Sequence, residues 1–428
     1  MNSWHHLPDL YFLHIPKTAG TSVRMLLEGL YPVSSILSAH HLKPMEELPG
    51  LAIREARFAS GHFGWRLVER AEALGKRFAV LTFLRETAAL GVSGMQYVDD
   101  VPAKARATLS EERTRLLKER IEASRSGEFE WLVARETIDS DNAPPLSAAE
   151  EAAANLMVRS LAGPGVATSN PIEMNDRALE LAKERLLSTA FGIVEDMEKS
   201  WAVICARLGL PLLSGSLRRA NRSKKRLKPS PAFLDLMRTR NSYDHDLDRF
   251  ARKELDRRLA RLKAEGGDLE ATLRANFLTT ERGVDRIGEA EIGMEDGLVS
   301  EGFAPRLDYE PIGRWIRWAR KDATLYLPLD TTSERLVRLE IAATMNSNIR
   351  DGLTLAVNGH DIPLVRSYER WQDDGFHLVC EARIPAEFMD AHAQYTALDF
   401  HAPEDVETEY PDAMGTRASF ALANVSIG

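Results

Sequence analysis

One stretch near the start limits what this chain can fold into more than any other: Tyr11-Phe-Leu-His-Ile-Pro-Lys-Thr-Ala-Gly-Thr-Ser-Val-Arg24. A short apolar run, Tyr11 to Ile15, stops at Pro16. A lysine, small residues and hydroxyls follow, and Val23-Arg24-Met25-Leu26-Leu27 then reads as helix. Strand, tight turn and helix in that order form a cradle for a phosphate-like anion, because backbone N–H groups and the helix amino end converge there. Lys17 adds a charge, and Gly20 lets the backbone come close. Lysine precedes glycine here, the reverse of the nucleotide-triphosphate loop G-x-x-x-x-G-K-[ST].

Residues 8 to about 100 alternate short apolar runs with helical stretches. Tyr11–Ile15 and Phe78–Leu84 are continuous enough to predict buried strands of a parallel sheet. In an open α/β sheet of this kind the ligand crevice lies at the strands' carboxyl ends. Residues 102–145 read as a charged helical insertion that ends in a loop. Helices are expected over Ser147–Leu161 (opened by a Ser147/Glu150 capping box), Ile172–Ser188, Glu195–Leu208, Pro231–Arg240 and Asp244–Lys263. Phe191–Val194 adds one more strand. Beyond about Arg274 the pattern changes to short β-rich runs, from Trp315–Trp318 and Ala323–Leu327 to Ser419–Val425, separated by turns such as Asn358-Gly359. These predict an all-β sandwich or jelly roll. The boundary falls near 280–295, giving an α/β domain of residues 1–280 and a β domain of residues 290–428.

His14-Ile-Pro-Lys-Thr-Ala-Gly-Thr-Ser22 resembles the 5′-phosphosulfate loop of sulfotransferases that use 3′-phosphoadenosine 5′-phosphosulfate (PAPS). Its wording is closest to the carbohydrate branch, which includes the heparan 2-O-sulfotransferases and their bacterial relatives. The resemblance implies the sulfotransferase fold, a P-loop-like parallel sheet flanked by helices. It also implies that Lys17, Thr18, Ala19, Gly20, Thr21 and Ser22 hold the phosphosulfate, with Lys17 neutralising charge on the bridging oxygen as the bond breaks. The segment from Phe78 to Tyr97 resembles the family's 3′-phosphate segment, and Arg85 and Ser93 keep its spacing. A planar arginine fork and a hydroxyl suit that group. Glu86-Thr87 replaces the usual Asp-Pro, and Leu90 stands where a further arginine often sits.

Ser60-Gly61-His62-Phe63-Gly64 is similar to the Gly-His segment that supplies the family's catalytic base, and histidine titrates near the working pH. His14 lies within the first expected strand, and His40 and His41 lack that context; Glu55 either assists or faces solvent. Asn155-Leu-Met-Val-Arg159 with Leu161-Ala-Gly163 resembles another family segment, making Arg159 a candidate contact to cofactor or acceptor. Asn221–Arg226 and Asn241–Asp248 resemble the end of the same domain, where a basic loop covers the cofactor, with Arg222 and Lys225 as candidates. Family members need no metal.

The 428 residues carry a net charge of −9 and a pI near 5.8, which argues against a general nucleic-acid binder. Basic residues cluster at 218–228 and 249–263, either as a solvated helical face or as a rim that draws in an anionic cofactor or acidic substrate. Two cysteines far apart, Cys205 and Cys380, argue against a disulfide framework or zinc site and suit a reducing compartment. No apolar run reaches about 18 residues, so no membrane span is expected. Animal members of the resembling family carry a Golgi anchor; its absence here suggests a bacterial cytoplasmic enzyme. Gly313–Trp318 resembles part of a β-sandwich module found beside bacterial glycan-modifying enzymes. Trp315, Trp318 and Trp371 either stack on sugar rings or fill the core. The expected activity is transfer of a sulfuryl group from PAPS to a hydroxyl of a carbohydrate or glycoconjugate. A nucleotide-dependent kinase and a non-catalytic glycan-binding scaffold are the alternatives, and assembly into a homo-oligomer stays open.

Overall fold

The computed structural model describes residues 7–38, 48–100, 154–163, 172–213, 231–265, 268–280, 285–309, 313–370, 376–407 and 417–428. The expected insertion at 102–145, the Ser147 capping box, His40, His41, Arg222, Lys225 and Trp371 lie outside these residues. The first unit is built on five strands: β1 (Leu10–Leu13), β2 (Ile36–Ser38), β3 (Phe58–Gly61), β4 (Ala79–Leu84) and β5 (Ala190–Ile193). All pair in parallel, in the order β2-β3-β1-β4-β5. Leu13, at the end of central β1, lies beside Gly61 of β3 and Thr82 of β4. Every residue of β1 is buried, as a strand covered on both faces requires. From β1 the chain runs outward to β2 and β3 on one side, then to β4 and β5 on the other. The topological switch point therefore sits at the carboxyl end of β1, where an open α/β sheet places its ligand.

The helices of this unit are α1 (Gly20–Glu28), α2 (Gly50–Glu55), α3 (Arg66–Ala73), α4 (Thr87–Asp100), α5 (Leu156–Ala162), α6 (Asp176–Ser188), α7 (Met197–Leu208), α8 (Pro231–Arg240), α9 (Ser242–Glu265) and α10 (Leu269–Thr279). Tyr11, Leu13 and Phe191 pack against Leu67, Leu161, Leu186 and Leu255 on one side of the sheet. Leu10, Phe12 and Phe83 pack against Val23, Leu27 and Trp201 on the other. Of the helix expected over Ser147–Leu161, the described residues show α5. Asn155 has a φ of 51° and stands outside the first turn, so α5 begins at Leu156. Helix α6 likewise begins at Asp176, not Ile172, because the Asn175 side chain accepts the Ala178 N–H at 3.0 Å and caps it. Helix α10 carries the helical part of the chain past Arg274 to Thr279.

The second unit is an antiparallel β domain. Its strands are β6 (Ala290–Gly293), β7 (Val299–Phe303), β8 (Leu307–Tyr309), β9 (Arg314–Leu327), β10 (Arg335–Thr344), β11 (Thr354–Val357), β12 (His360–Ile362), β13 (Val365–Arg370), β14 (Phe376–Ile384), β15 (Thr396–His401), β16 (Val406–Glu407), β17 (Arg417–Ala418) and β18 (Phe420–Ile427). Among the described residues, eleven of them join one curled sheet whose main path is β12-β11-β15-β9-β18-β10-β14-β13. The runs expected at Trp315–Trp318 and Ala323–Leu327 are one strand, β9. Its first part pairs with β8 and β18 and its second part with β15, while β7 lies along Ala319–Tyr326. Changing partners along its length lets one long strand bend the sheet around Leu325, Leu339, Phe400 and Leu422. Trp318 is buried and Trp315 is partly buried against the core, so both serve packing. Cys205 and Cys380 are buried free thiols.

A shared core joins the two units. Leu10, Phe12, Val23 and Leu27 belong to the same buried cluster as Phe277 of α10 and Val299, Tyr326 and Tyr395 of the β domain. The Phe277 ring stacks on Tyr395 at 4.4 Å and meets Tyr326 edge-on at 5.2 Å. Among the described residues, no helix is long and apolar enough to cross a membrane.

Candidate functional site

The ends of β3, β1 and β4 lead into the three segments singled out in the sequence, and the structure brings these segments side by side. Beyond Leu13 the His14 N–H still donates to Gly61 O at 3.1 Å, extending the pairing by one residue. The chain then turns tightly: Lys17 has a φ of 69° and Ala19 a φ of 62°. Two left-handed non-glycine residues within three positions are costly, about 1–2 kcal/mol each, and persist only where their surroundings enforce them. Here Thr18 is fully buried, and its Oγ1 donates to Ile15 O at 2.8 Å. Arg85 Nη1 donates to Lys17 O at 2.9 Å. The loop is thus pinned from inside by a hydroxyl and from the β4 side by a guanidinium, and it opens directly into α1.

Gly20 makes room for a side chain of its own loop. A Cβ built there would lie 1.5 Å from His14 Nε2, so the imidazole of His14 already fills the open side of the glycine. His14 in turn lies with its ring centroid 4.4 Å from that of His62.

His62 follows β3 and is half-buried. Its Nδ1 is 2.5 Å from His14 O. A carbonyl oxygen can only accept, so Nδ1 carries the proton and the neutral ring keeps its lone pair on Nε2. Tyr11 supports this turn from below: its hydroxyl donates to Gly64 O at 3.1 Å, and burial pushes it far up, keeping it a donor. Gly61 is required because a Cβ there would lie 2.5 Å from the Phe63 ring. Thr82 Oγ1 donates to Leu13 O at 2.8 Å, locking β4 to the end of β1.

On the other flank, Arg85 Nε lies 3.7 Å from Glu195 Oε1. Burial holds this guanidinium below the ordinary arginine range, while Glu195 and Glu86 pull it back up. Glu195 is itself shared: its Oε2 accepts from Arg252 Nη2 at 3.1 Å and from the Glu86 N–H at 3.2 Å. The Arg85 Nε is buried without a hydrogen bond among the described residues, as is Thr87 Oγ1 two residues on. Glu86 accounts for its departure from Asp-Pro: its Oε2 accepts the Ala89 N–H at 2.7 Å and caps α4. Leu90 is core. Ser93 lies on α4 and is half-buried. Glu55 is exposed at the end of α2, facing solvent.

The structure does not bring Arg159 into this cluster of contacts. The residue is buried, with Nε on Ala154 O and Nη1 on Ile172 O, both at 2.8 Å. Asn241 and Asp244 also work on α5: Asn241 Oδ1 accepts the Asn155 N–H at 2.8 Å, and Asp244 accepts from Met157 and Val158 at 3.0 and 2.8 Å. Burial pushes the Asp244 carboxyl up to about 7, against the pull of those N–H groups and of Arg159. Sequence reasoning missed Glu195 and Arg252 as neighbours of the site and Tyr11 as its support. A tyrosine inside an otherwise wholly apolar strand was the available signal for Tyr11. Nothing in sequence ties Arg252, on α9, to β4.

The arrangement fits a polyanion. It offers a helix amino end, Lys17, a guanidinium with a buried unsatisfied Nε, and the orphaned Thr87 hydroxyl, with an imidazole of fixed tautomer beside them. The residues present are thus compatible with the two phosphate-bearing ends of PAPS. Among the described residues no group of three or more His, Cys, Asp or Glu could hold a metal ion. No protein-family model matches the chain, and no curated protein matches it.

Proposed function

We propose that the chain is a PAPS-dependent sulfotransferase acting on a carbohydrate or glycoconjugate hydroxyl, built on a sulfotransferase-type α/β sheet with an appended β-sandwich. One observation carries the reading: the Lys17 loop, His62 and Arg85 leave three adjacent parallel strands at the switch point, with His62 bonded to the loop at His14 O and Arg85 at Lys17 O. The loop from Lys17 to Ser22 would hold the 5′-phosphosulfate, and Arg85 with Ser93 the 3′-phosphate. PAPS, when bound, supplies the sulfuryl group and leaves as 3′-phosphoadenosine 5′-phosphate. His62 takes the acceptor hydroxyl proton at Nε2, while Nδ1–H stays on His14 O and orients the ring. The Lys17 ammonium opposes negative charge gathering at the loop, an interaction that lowers the barrier only insofar as it strengthens in the transition state.

A second reading, a silent α/β core beside a glycan-binding β domain, is favoured by a cleft of about 1200 Å³ between α10 and strands β9 and β15. Transfer from sulfur-labelled PAPS to a panel of bacterial polysaccharides and glycolipids separates the two. Label incorporated by the wild type and lost in His62→Ala supports the enzyme. Glycan retention by the protein without incorporated label would favour the scaffold.

A further inference from the structure

The β domain reaches α1, the helix that carries the anion loop, at its opposite end. Arg306, just before β8, donates from Nη2 to Glu28 O at 2.7 Å and from Nη1 to Tyr31 O at 2.9 Å. Arg317 of β9 donates from Nη2 to Gly29 O at 2.6 Å, and the Leu298 N–H donates to the same oxygen at 3.2 Å. Gly297 permits the approach, since a Cβ there would lie 2.7 Å from Leu30 O. Glu28 is the last residue of α1, and Gly29 and Tyr31 lie in the turn that follows, so these carbonyls sit at and just beyond the helix's carboxyl end, where the helix dipole is negative.

The charge arrangement is unusual. Arg317 is 3% exposed, yet among the described residues neither it nor Arg306 forms an ion pair. The nearest oxygens to Arg317 belong to the Gly29 and Asp296 carbonyls and the Ser300 hydroxyl. Arg317 is buried and Arg306 half-buried, and two neighbouring guanidiniums repel each other; burial draws both below the ordinary arginine range, while Glu28, Glu295 and Asp296 pull Arg306 back up and Asp296 pulls Arg317 back up. The carboxyl end of α1 adds its negative potential to that of these carboxylates. The coupling runs both ways: cations fixed there cancel the negative end of the dipole and leave the positive amino end, about 13 Å away along nine residues, unopposed.

We propose that Arg306 and Arg317 are positioning residues for the anion loop, acting through α1 to hold the helix in place and to raise the affinity of its amino end for a phosphate or phosphosulfate group. The inference rests on the function proposed above, because it requires that the loop bind such a group. It makes the β domain part of the binding machinery and not a detachable module.

The test is calorimetric binding of two probes, adenosine 3′,5′-bisphosphate and adenosine 3′-monophosphate, to wild type, Arg317→Met, Arg306→Met and Arg317→Lys, with thermal unfolding recorded for each. The bisphosphate places a phosphate at the loop; the monophosphate does not. Each methionine variant should weaken the bisphosphate about three- to tenfold and leave the monophosphate unchanged, and Arg317→Lys should recover part of the loss. A fall in melting temperature alone, or an equal loss for both probes, would overturn the proposal, since a purely structural role predicts either. Should Arg317→Met fail to fold, the partly exposed Arg306→Met carries the same comparison. No bisphosphate binding by the wild type would defeat the function reading itself, a separate outcome.

Discussion

His14 and Gly20 meet so closely that each explains the other. The ring occupies the space a side chain at position 20 would need, and the His14 carbonyl orients His62. Gly20→Ala should therefore destabilise the protein by about 1–3 kcal/mol by forcing the ring out. The double variant Gly20→Ala/His14→Ala should recover much of that loss in thermal unfolding. A double variant no more stable than the single would show that another contact excludes the methyl. At His62, replacement by alanine should lower transfer by about 10²- to 10⁴-fold while leaving cofactor affinity unchanged, as measured by single-turnover rates and calorimetry. That Lys17 and His62 follow neighbouring strands was legible because strand, turn and motif residues are contiguous in sequence. Tyr11 and Glu195 were not, because their roles depend on residues brought near only by strand pairing and by a helix far along the chain.

The helix α5 shows how an element is set by partners distant in sequence. Its first N–H groups are met by Asp244, nearly ninety residues on, and its entry by Asn241. Asp244→Ala should cost about 1–3 kcal/mol, since buried donors lose their acceptor. The carboxyl also makes stability depend on pH. With its folded value raised to about 7, the folded state holds a proton between about pH 4 and 7 that the unfolded chain has released. Its contribution to stability is therefore full below that window, falls as pH rises through it, and levels above about 7. Wild-type melting temperature should decline across this range more steeply than that of Asp244→Asn; parallel curves would contradict the assignment. The motif Asn155–Arg159 was visible in sequence, but not that Asn155 would sit outside the helix in a left-handed conformation. A capping asparagine and a helical one look alike until the partner residue is known.

At the scale of the whole molecule, the switch from helical to β-rich sequence near 280–295 follows from a change in hydrophobic period, and α10 ends at Thr279 while β6 begins at Ala290. What the pattern could not carry was the shared core, in which α10 and Tyr395 cover one face of the parallel sheet. A chain cut to residues 1–280 would expose that face, together with the carbonyls that Arg306 and Arg317 cap. It should lack a cooperative unfolding transition in calorimetry, whereas a cooperative transition with intact ligand binding would show two independent domains. The account as a whole turns on what the switch point binds. Calorimetry of 3′-phosphoadenosine 5′-phosphate with wild type and Arg85→Ala tests this most directly. The account predicts binding to the wild type and a loss of about tenfold or more in the variant. ATP binding to the wild type, with no affinity for the 3′-phosphorylated nucleotide, would contradict it.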